Sequence, residues 1–315
     1  MSPTFDLLFG LTLLFIGGEL LVKSSVELAL KMRISTLVVG MTVVSFATSA
    51  PELFVSLAAL LEGSSNIALG NIIGSNIANI TFVLGITAII FRVQISEQII
   101  SLNFPFLLFS SMVFGGVLYY FRGIPQIVGY LFVIVLLIFI YFLIKSSRKE
   151  YLLLEQLNIT LDKKKPLYKN IIFLIVGAFF LNFGADYLVG GAIKIADYFQ
   201  ISDRIIAVTI IAVGTSVPEL AASIVAALKK ENNLAIGNLI GSNIFNILAV
   251  LGISSVIRKI TIDDIGILYY DYIWMIVVTF IVGIFIYSFT KKHISRTEGC
   301  ILLLLYATYI YFNLL

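Results

Sequence analysis

The chain is 315 residues long, with 60% hydrophobic residues, 12% charged residues and a net charge of +3. A soluble domain averages about 45–50% apolar and about 25% charged residues, so this composition excludes a disordered chain and argues against a soluble enzyme. The single cysteine, Cys300, excludes an intramolecular disulfide, and the single histidine, His293, excludes a site with several histidine ligands. No basic block is dense enough to predict nucleic-acid binding.

Long apolar segments occupy most of the chain. A helix needs about 20 mostly apolar residues to cross about 30 Å of hydrocarbon. Ten segments meet this requirement, at residues 4–30, 36–61, 66–90, 99–120, 124–144, 170–197, 203–228, 233–257, 268–290 and 297–314. The start has no basic stretch before its apolar run, which favours a first span over a cleaved signal. The sequence therefore predicts an all-α polytopic membrane protein with ten transmembrane helices.

One long polar stretch, residues 145–169, separates the first five predicted spans from the last five. It predicts a first five-helix unit at 1–144, a linker at 145–169 and a second five-helix unit at 170–315. Fifteen Lys and Arg residues fall in the loops after odd-numbered spans, and four fall in the other loops. Because cytoplasmic loops are enriched in Lys and Arg, we expect a cytoplasmic linker and extracellular termini in the plasma membrane.

The two halves share an internal repeat with an offset of 167 residues. Residues 48–85 align without a gap on residues 215–252, and 22 of the 38 positions are identical. Each half contributes five spans, an odd number, so the two halves should lie upside down relative to each other. Inverted repeats of this kind are typical of secondary transporters that bind their substrate near the bilayer midplane.

Polar residues recur at repeat-related positions in spans two, three, seven and eight, which we predict to form the central core. They include Ser45, Thr48, Ser49, Glu52, Ser75 and Asn79 in the first half, and Thr215, Ser216, Glu219, Ser242 and Asn246 in the second. A single Ser or Thr in a membrane helix most often bonds its own i−4 carbonyl. A charge near the bilayer centre costs at least about 2.5–3.5 kcal/mol, so the two glutamates predict a functional site.

The groups available at this site are all oxygen ligands. Pro51 and Pro218 precede the two glutamates and break the helices, which frees backbone carbonyls. Carboxylate, hydroxyl, amide and carbonyl oxygens suit hard cations, and flexible mixed ligation favours Ca²⁺ over Mg²⁺. Several monovalent ions could share the same oxygens, and their competition with Ca²⁺ would produce antiport. We find no nucleotide-binding loop, so we expect an ion gradient to supply the energy.

Glu19 and Asp186 are a second repeat-related acidic pair, in spans one and six. Each is next to or near a glycine and lies close in sequence to a lysine, Lys23 or Lys194. The sequence is compatible with a gate, with an accessory ion path, or with a hydrogen bond that only serves packing.

Four short motifs resemble the two α-repeats of the cation/calcium antiporter superfamily. They are ATSAPEL at 47–53 with GNIIGSNIAN at 70–79, and GTSVPEL at 214–220 with GNLIGSNIFN at 237–246. The chain is most similar to the prokaryotic sodium/calcium exchangers of that superfamily, over both repeats and the ten-span layout. The resemblance implies alternating access by sliding of spans one and six, an extracellular N-terminus, and exchange of about three Na⁺ for one Ca²⁺.

The resemblance also implies a diamond of four sites. Glu52 and Glu219 would bind Ca²⁺, with the carbonyls of Thr48 and Thr215. Flanking Na⁺ sites would be completed by side chains and carbonyls from both halves, namely Ser49, Ser75, Ser216 and Ser242 with the carbonyls of Ser45 and Ala212. Asn79 and Asn246 would occupy the fourth corner. The transported ions are substrates, and we expect no cofactor, no enzymatic activity, no nucleic-acid partner and function as a monomer in the lipid bilayer.

Some residues depart from the family pattern. Several relatives, including potassium-dependent exchangers, have aspartate where this chain has Asn246, so two carboxylates remain and potassium dependence is disfavoured. Ala47 replaces a usual glycine, and Ser45 is more polar than expected. The alternative is a Ca²⁺/H⁺ or other divalent-cation antiporter using the same glutamates. A channel gains nothing from an inverted repeat, and an intramembrane protease needs paired aspartates or a Ser–His pair that this chain does not offer.

Overall fold

The computed structural model of the chain describes residues 2–155, 167–200, 212–287 and 293–314. Parts of three predicted segments lie outside these residues: the linker 145–169, the seventh span 203–228 and the ninth span 268–290. The described part is mostly helical, as the composition predicts.

The first half contains eight α-helical segments, two short strands and three π-helical turns. The α-helices are α1 (Pro3–Met32), α2 (Thr36–Val39), α3 (Ser45–Thr48), α4 (Ala50–Leu61), α5 (Ser65–Ala78), α6 (Leu84–Ile90), α7 (Phe104–Phe121) and α8 (Gln126–Glu155). The strands are β1 (Val93–Gln94) and β2 (Gly123–Ile124). The π-helical turns, Gly40–Val44, Asn79–Val83 and Ile99–Asn103, lead into α3, α6 and α7.

The described part of the second half continues with α9 (Leu167–Tyr198), α10 (Ala212–Gly214), α11 (Val217–Leu228), α12 (Asn232–Phe245), α13 (Leu251–Ile257), α14 (Tyr272–Tyr287) and α15 (Arg296–Leu314). Its strands are β3 (Ile260–Thr261) and β4 (His293–Ile294), and its π-helical turns are Asn246–Val250 and Ile267–Asp271. Helix α8 runs past the predicted end of span five at residue 144, because residues 145–155 are mostly good helix formers.

Within the described residues, seven helices are long and apolar enough to cross a membrane. Thr36–Thr48 and Ala50–Leu61, which meet at a bend of 42°, make an eighth candidate if the pair is counted as one broken span. The tenth predicted span is helical as α15 but is not among these seven. The chain is thus an all-α protein with multiple candidate membrane spans.

The sequence offset of 167 residues also relates secondary-structure boundaries. It maps α4 on α11, α5 on α12 and α6 on α13 residue for residue. It likewise maps the π-helical turn at Asn79–Val83 on that at Asn246–Val250. The same local sequence therefore builds the same local structure in both halves.

Helices α1 and α9 pack against each other along their lengths in antiparallel orientation. A Cβ atom on Gly10 would lie 2.8 Å from the carbonyl oxygen of Gly184, and one on Gly17 would lie 2.9 Å from that of Gly177. These distances leave no room for a side chain, so the glycines permit direct backbone contact.

Two antiparallel strand pairs connect the halves at the helix ends. Strand β1 pairs with β4, with Val93 opposite Ile294, and β2 pairs with β3, with Ile124 opposite Ile260. An all-helical prediction does not include these two-residue strands. They form because the extended segments after α6, α7 and α13 and the segment before α15 come side by side, and their backbone groups then bond to each other.

Candidate functional site

Each of the two broken helices turns at a serine directly before its proline segment. Ser49 (φ −86°, ψ 7°) separates α3 from α4, and Ser216 (φ −90°, ψ 1°) precedes α11. Pro51 and Pro218 then occupy the first turn of the following helix, where the missing N–H is tolerated. This geometry sets Glu52 and Glu219 in the first turns of α4 and α11 respectively.

Both glutamates are completely buried in the centre of the protein. Ser49 Oγ lies 3.5 Å from Glu219 Oε1 and donates to it, so the polar residues of α4 and α11 meet across the two halves. Among the described residues, both carboxylate oxygens of Glu52 and the Oε2 atom of Glu219 have no hydrogen-bond partner. A buried carboxylate without a partner is costly, and a bound cation would remove this cost.

Hydroxyl and amide groups of α5 and α12 contact the threonines that precede the two serine turns. Thr48 Oγ1 donates to Asn238 Oδ1 at 3.1 Å and lies 3.4 Å from Ser242 Oγ. In the corresponding position of the other half, Ser75 Oγ lies 3.4 Å from Thr215 Oγ1. The site therefore alternates groups from the first and second halves.

The two asparagines at the predicted fourth corner begin π-helical turns, and both are completely buried. Asn246 Nδ2 donates to Asn76 Oδ1 at 3.2 Å, whereas its Oδ1 atom has no partner among the described residues. Neither polar atom of the Asn79 amide has one. Each amide thus keeps an oxygen that a cation could use.

The segments that contain Ser45 and Ala212 differ in their hydrogen bonds. Ser45 Oγ donates to the carbonyls of Gly40 at 2.8 Å and Asn238 at 3.0 Å, while the Ser45 carbonyl accepts from Ser49 N at 2.9 Å. In the second half, the equivalent donor, Ser216 N, bonds to the Val213 carbonyl at 3.0 Å. This acceptor lies one residue further along the chain than Ala212, which is the repeat equivalent of Ser45. The repeat is therefore not symmetric at these two carbonyls.

Of the site residues predicted from the sequence, the structure brings Ser49 to Glu219, Thr48 to Ser242 and Ser75 to Thr215, and it adds two further asparagines. Asn71 Nδ2 donates to Ser56 Oγ at 3.0 Å and to the Glu52 carbonyl at 3.3 Å. Its repeat partner Asn238 contacts both Thr48 and Ser223. Both asparagines belong to the motifs at 70–79 and 237–246, where each follows a glycine, and their recurrence at the repeat offset is the sequence signal for a role.

No group of three or more His, Cys, Asp or Glu side chains that could hold a metal ion occurs within the described ranges. The site is instead two carboxylates surrounded by neutral oxygen groups. Such an arrangement can bind a hard cation of charge +2 and can also accommodate smaller charges on the same oxygens.

The family described as sodium/calcium exchanger protein matches residues 3–145 and 169–315. The protein CaxA of Alkalimonas amylolytica is 35% identical over 99% of this chain and 98% of its own length. Sodium/calcium exchanger MaX1 of Methanosarcina acetivorans is 29% identical over 96% of each chain. The solved structure of the sodium-calcium exchanger NCX_Mj, soaked with Na⁺ and Ca²⁺, superposes with a TM-score of 0.81 at 29% identity, covering 99% of each chain.

Proposed function

The chain belongs to the sodium/calcium exchanger protein family, and from this premise we propose that it is a secondary active antiporter that exchanges Na⁺ for Ca²⁺. Members of this family are transporters, so the chain is a multi-pass membrane transporter and not an enzyme. The observation that carries the proposal is the pair of completely buried glutamates, Glu52 and Glu219, whose oxygens largely lack protein partners.

Ca²⁺ is the ion that best matches this pair, because two carboxylates neutralise one divalent cation. We assign Ca²⁺ binding to Glu52 and Glu219 with the carbonyls of Thr48 and Thr215. The mixed hydroxyl and amide groups around them supply the flexible oxygen coordination that Ca²⁺ accepts. The contact of Ser49 with Glu219, which joins the two halves, supports a single shared site.

Na⁺ would use overlapping oxygens. We assign it the hydroxyls of Ser49, Ser75, Ser216 and Ser242 and the carbonyls of Ser45 and Ala212. Asn79 and Asn246 would occupy the remaining corner. The hydrogen bonds of the Ser45 segment, which differ from those of the Ala212 segment, would make the two Na⁺ sites unequal in affinity. An exchange of about three Na⁺ for one Ca²⁺ would make transport electrogenic. Moving the net charge across the membrane would then change the free energy of the cycle by about 2.3 kcal/mol per charge per 100 mV.

The proposed architecture is ten spans in two inverted five-helix repeats, residues 1–144 and 170–315, joined by a cytoplasmic linker. The matching boundaries of α4 with α11 and α5 with α12 support the repeat. The Lys and Arg distribution supports extracellular termini in a plasma membrane. The core lies within one chain, which supports function as a monomer.

Uptake of Ca²⁺ by proteoliposomes tests the proposal directly. Purified full-length protein would be reconstituted, and an outward gradient of Na⁺, K⁺ or H⁺ would be imposed, each alone. We expect Ca²⁺ uptake only with the Na⁺ gradient. Uptake with the H⁺ gradient instead would support the alternative, a Ca²⁺/H⁺ or other divalent-cation antiporter, and uptake without any gradient would contradict antiport.

A further inference from the structure

A large apolar groove lies on the outer side of the broken helix that carries Glu52. Its volume is about 420 Å³, within the range of about 300–1,000 Å³ that is usual for small-molecule sites. One wall is formed by α8 and the other by the π-helical turn before α3, and the floor is formed by the C-terminal half of the α12–α13 helix. The lining residues are Thr42, Val43, Phe46, Val133, Leu136, Leu137, Ile140, Phe245, Ala249 and Ile253.

The chemistry of the groove fits a hydrocarbon chain. Nine of its ten lining residues are apolar. The exception is Thr42, whose hydroxyl already donates to the Val38 carbonyl at 2.7 Å. Phe46 and Leu137 on the rim are more than half exposed, at 55% and 60%. All of these residues lie inside candidate membrane spans, where water cannot fill the space.

One end of the groove leads to basic side chains. The N-terminus of α2 contacts α8 through Ser35 N, which donates to Ser147 Oγ at 2.7 Å. Along α8, Ile140, Ile144, Ser147 and Arg148 share one helical face. Arg148 is exposed and ends the apolar span, about 12 Å along the axis from Ile140. Half of a bilayer core is about 15 Å thick, so a lipid with its headgroup at Arg148 reaches the groove with its tail.

Lys145 adds a second positive charge at this level. It is exposed, and its Nζ atom lies 5.8 Å from the centre of the Tyr141 ring. An aromatic ring and basic side chains at the end of an apolar span are typical of the membrane interface. Their charge complements a headgroup with a net negative charge better than a zwitterionic headgroup, in which the lipid's own cation balances the phosphate.

We propose that this groove is a binding site for an anionic phospholipid, with the distal part of one acyl chain between α8 and α3 and the phosphate near Arg148 and Lys145. The bound chain would pack behind Phe46, six residues before Glu52, and so stabilise the broken helix. This site is independent of the ions exchanged at Glu52 and Glu219.

Native mass spectrometry of the full-length protein tests the proposal with phosphatidylglycerol and phosphatidylcholine of the same chain length. We expect preferential retention of phosphatidylglycerol. Each basic residue near an anionic headgroup contributes a preference of about fivefold, so Arg148→Gln with Lys145→Gln should lower the preference by about 25-fold. Arg92→Gln, which removes an exposed arginine elsewhere in the chain, should leave it unchanged.

A second pair of variants tests the acyl-chain site. Leu137→Trp fills the groove and should abolish retention of both lipids. Leu131→Trp replaces another exposed leucine of α8 that is not in the groove lining, and it should retain them. Equal retention of the two lipids by the unmodified protein would overturn the headgroup assignment. If Leu137→Trp retained both lipids, the groove would not be the lipid site. The same conclusion would follow if the unmodified protein formed a lipid-free dimer that Leu137→Trp dissociated.

Discussion

At the scale of single residues, the two glutamates dominate the electrostatics of the core. Each is completely buried, and they come from corresponding first turns of two broken helices. Replacing either by glutamine keeps the shape of the side chain but removes its charge. Because the charge of Ca²⁺ would no longer be neutralised, the bound ion would lose part of its stabilisation.

We therefore expect Glu52→Gln and Glu219→Gln each to abolish Na⁺-driven Ca²⁺ uptake. Both variants should fold, because an amide is less costly to bury than a carboxylate without a partner. Thermal unfolding in detergent with and without Ca²⁺ is the second measurement, and Ca²⁺ should stabilise the unmodified protein but neither glutamine variant. Asp197→Asn, on the exposed end of α9, is the control and should behave like the unmodified protein. Near-normal uptake by either glutamine variant would refute the site.

The sequence predicted the residues of the core better than their contacts. The repeat alignment was enough to single out Glu52 and Glu219, because a charge at membrane depth is rare and its recurrence at the same offset is informative. It gave no sign that the Ser45 hydroxyl would donate to the carbonyl of Asn238, 193 residues away. Such a bond depends on how α12 packs against α3, and a local motif does not specify that packing.

At the scale of helices, the sequence predicted the spans and the proline breaks in two of them, but not the π-helical turns. Proline accounts for the breaks before α4 and α11. The π-helical turns at Asn79 and Asn246 have no comparable signal, since an added residue in a turn is stabilised by neighbouring helices. Both turns begin at residues assigned to the ion site, so the local irregularity and the predicted function coincide.

An ion pair joins helix α1 to the end of α11 in one half only. Lys229 Nζ lies 2.7 Å from Glu19 Oε2, beside the place where a Cβ atom on Gly18 would lie 2.8 Å from Val225 Cγ2. The sequence left the role of Glu19 open. The offset of 167 maps Glu19 on Asp186 and Lys229 on Glu62, which are both acidic. The corresponding acidic residues in the other half would repel each other. This pair therefore favours the observed conformation over the one in which the two halves exchange their roles.

We accordingly expect Lys229→Gln to shift the population away from the arrangement seen here, and Glu62→Lys to favour the opposite one. The pair is partly exposed and contributes at most about 1 kcal/mol, so each shift should be no more than about fivefold. Spin labels on cysteines at Lys23 and Leu228, in a Cys300→Ser background, would report the distance between α1 and α11. Lys230→Gln is the matched control. An unchanged distance distribution in both variants would show that the pair does not bias the conformation.

At the scale of the whole molecule, the charge of the loops determines the predicted orientation. In the predicted ten-span topology, fifteen basic residues fall in the loops of one side and four in the loops of the other. We expect a cysteine at Lys164, in a Cys300→Ser background, to react with an impermeant reagent only after the cytoplasmic face is opened. A cysteine at Arg122, on the opposite predicted face, should react on intact cells. Reaction of the Lys164 position on intact cells would reverse the assigned topology.

The charge of the loaded site determines how transport responds to voltage. In the proposed exchange, with both glutamates ionised, one Ca²⁺ would leave the site neutral, whereas about three Na⁺ would leave it at about +1. Movement of the Na⁺-loaded site would then carry this charge through part of the membrane electric field. A charge that crosses the whole field changes in free energy by about 2.3 kcal/mol per 100 mV. Asn246 is decisive here, because an ionised aspartate in its place would neutralise the Na⁺-loaded form and leave the Ca²⁺-loaded form negative.

We therefore expect Na⁺-driven Ca²⁺ uptake in potassium-free proteoliposomes to be electrogenic, accelerated by an inside-positive potential when Na⁺ leaves the vesicle. A protonophore combined with a pH gradient would set the potential, and currents on a solid-supported membrane would report the charge moved. In Asn246→Asp, the net charge moved per cycle should be unchanged, because the stoichiometry fixes it. The voltage-dependent step, however, should become the movement of the Ca²⁺-loaded site instead of the movement of the Na⁺-loaded site. Asn243→Asp, on the same helix, is the control for an added carboxylate outside the proposed ion sites. Uptake that ignores the potential would indicate a neutral cycle, either two Na⁺ per Ca²⁺ or a proton moving with the ions.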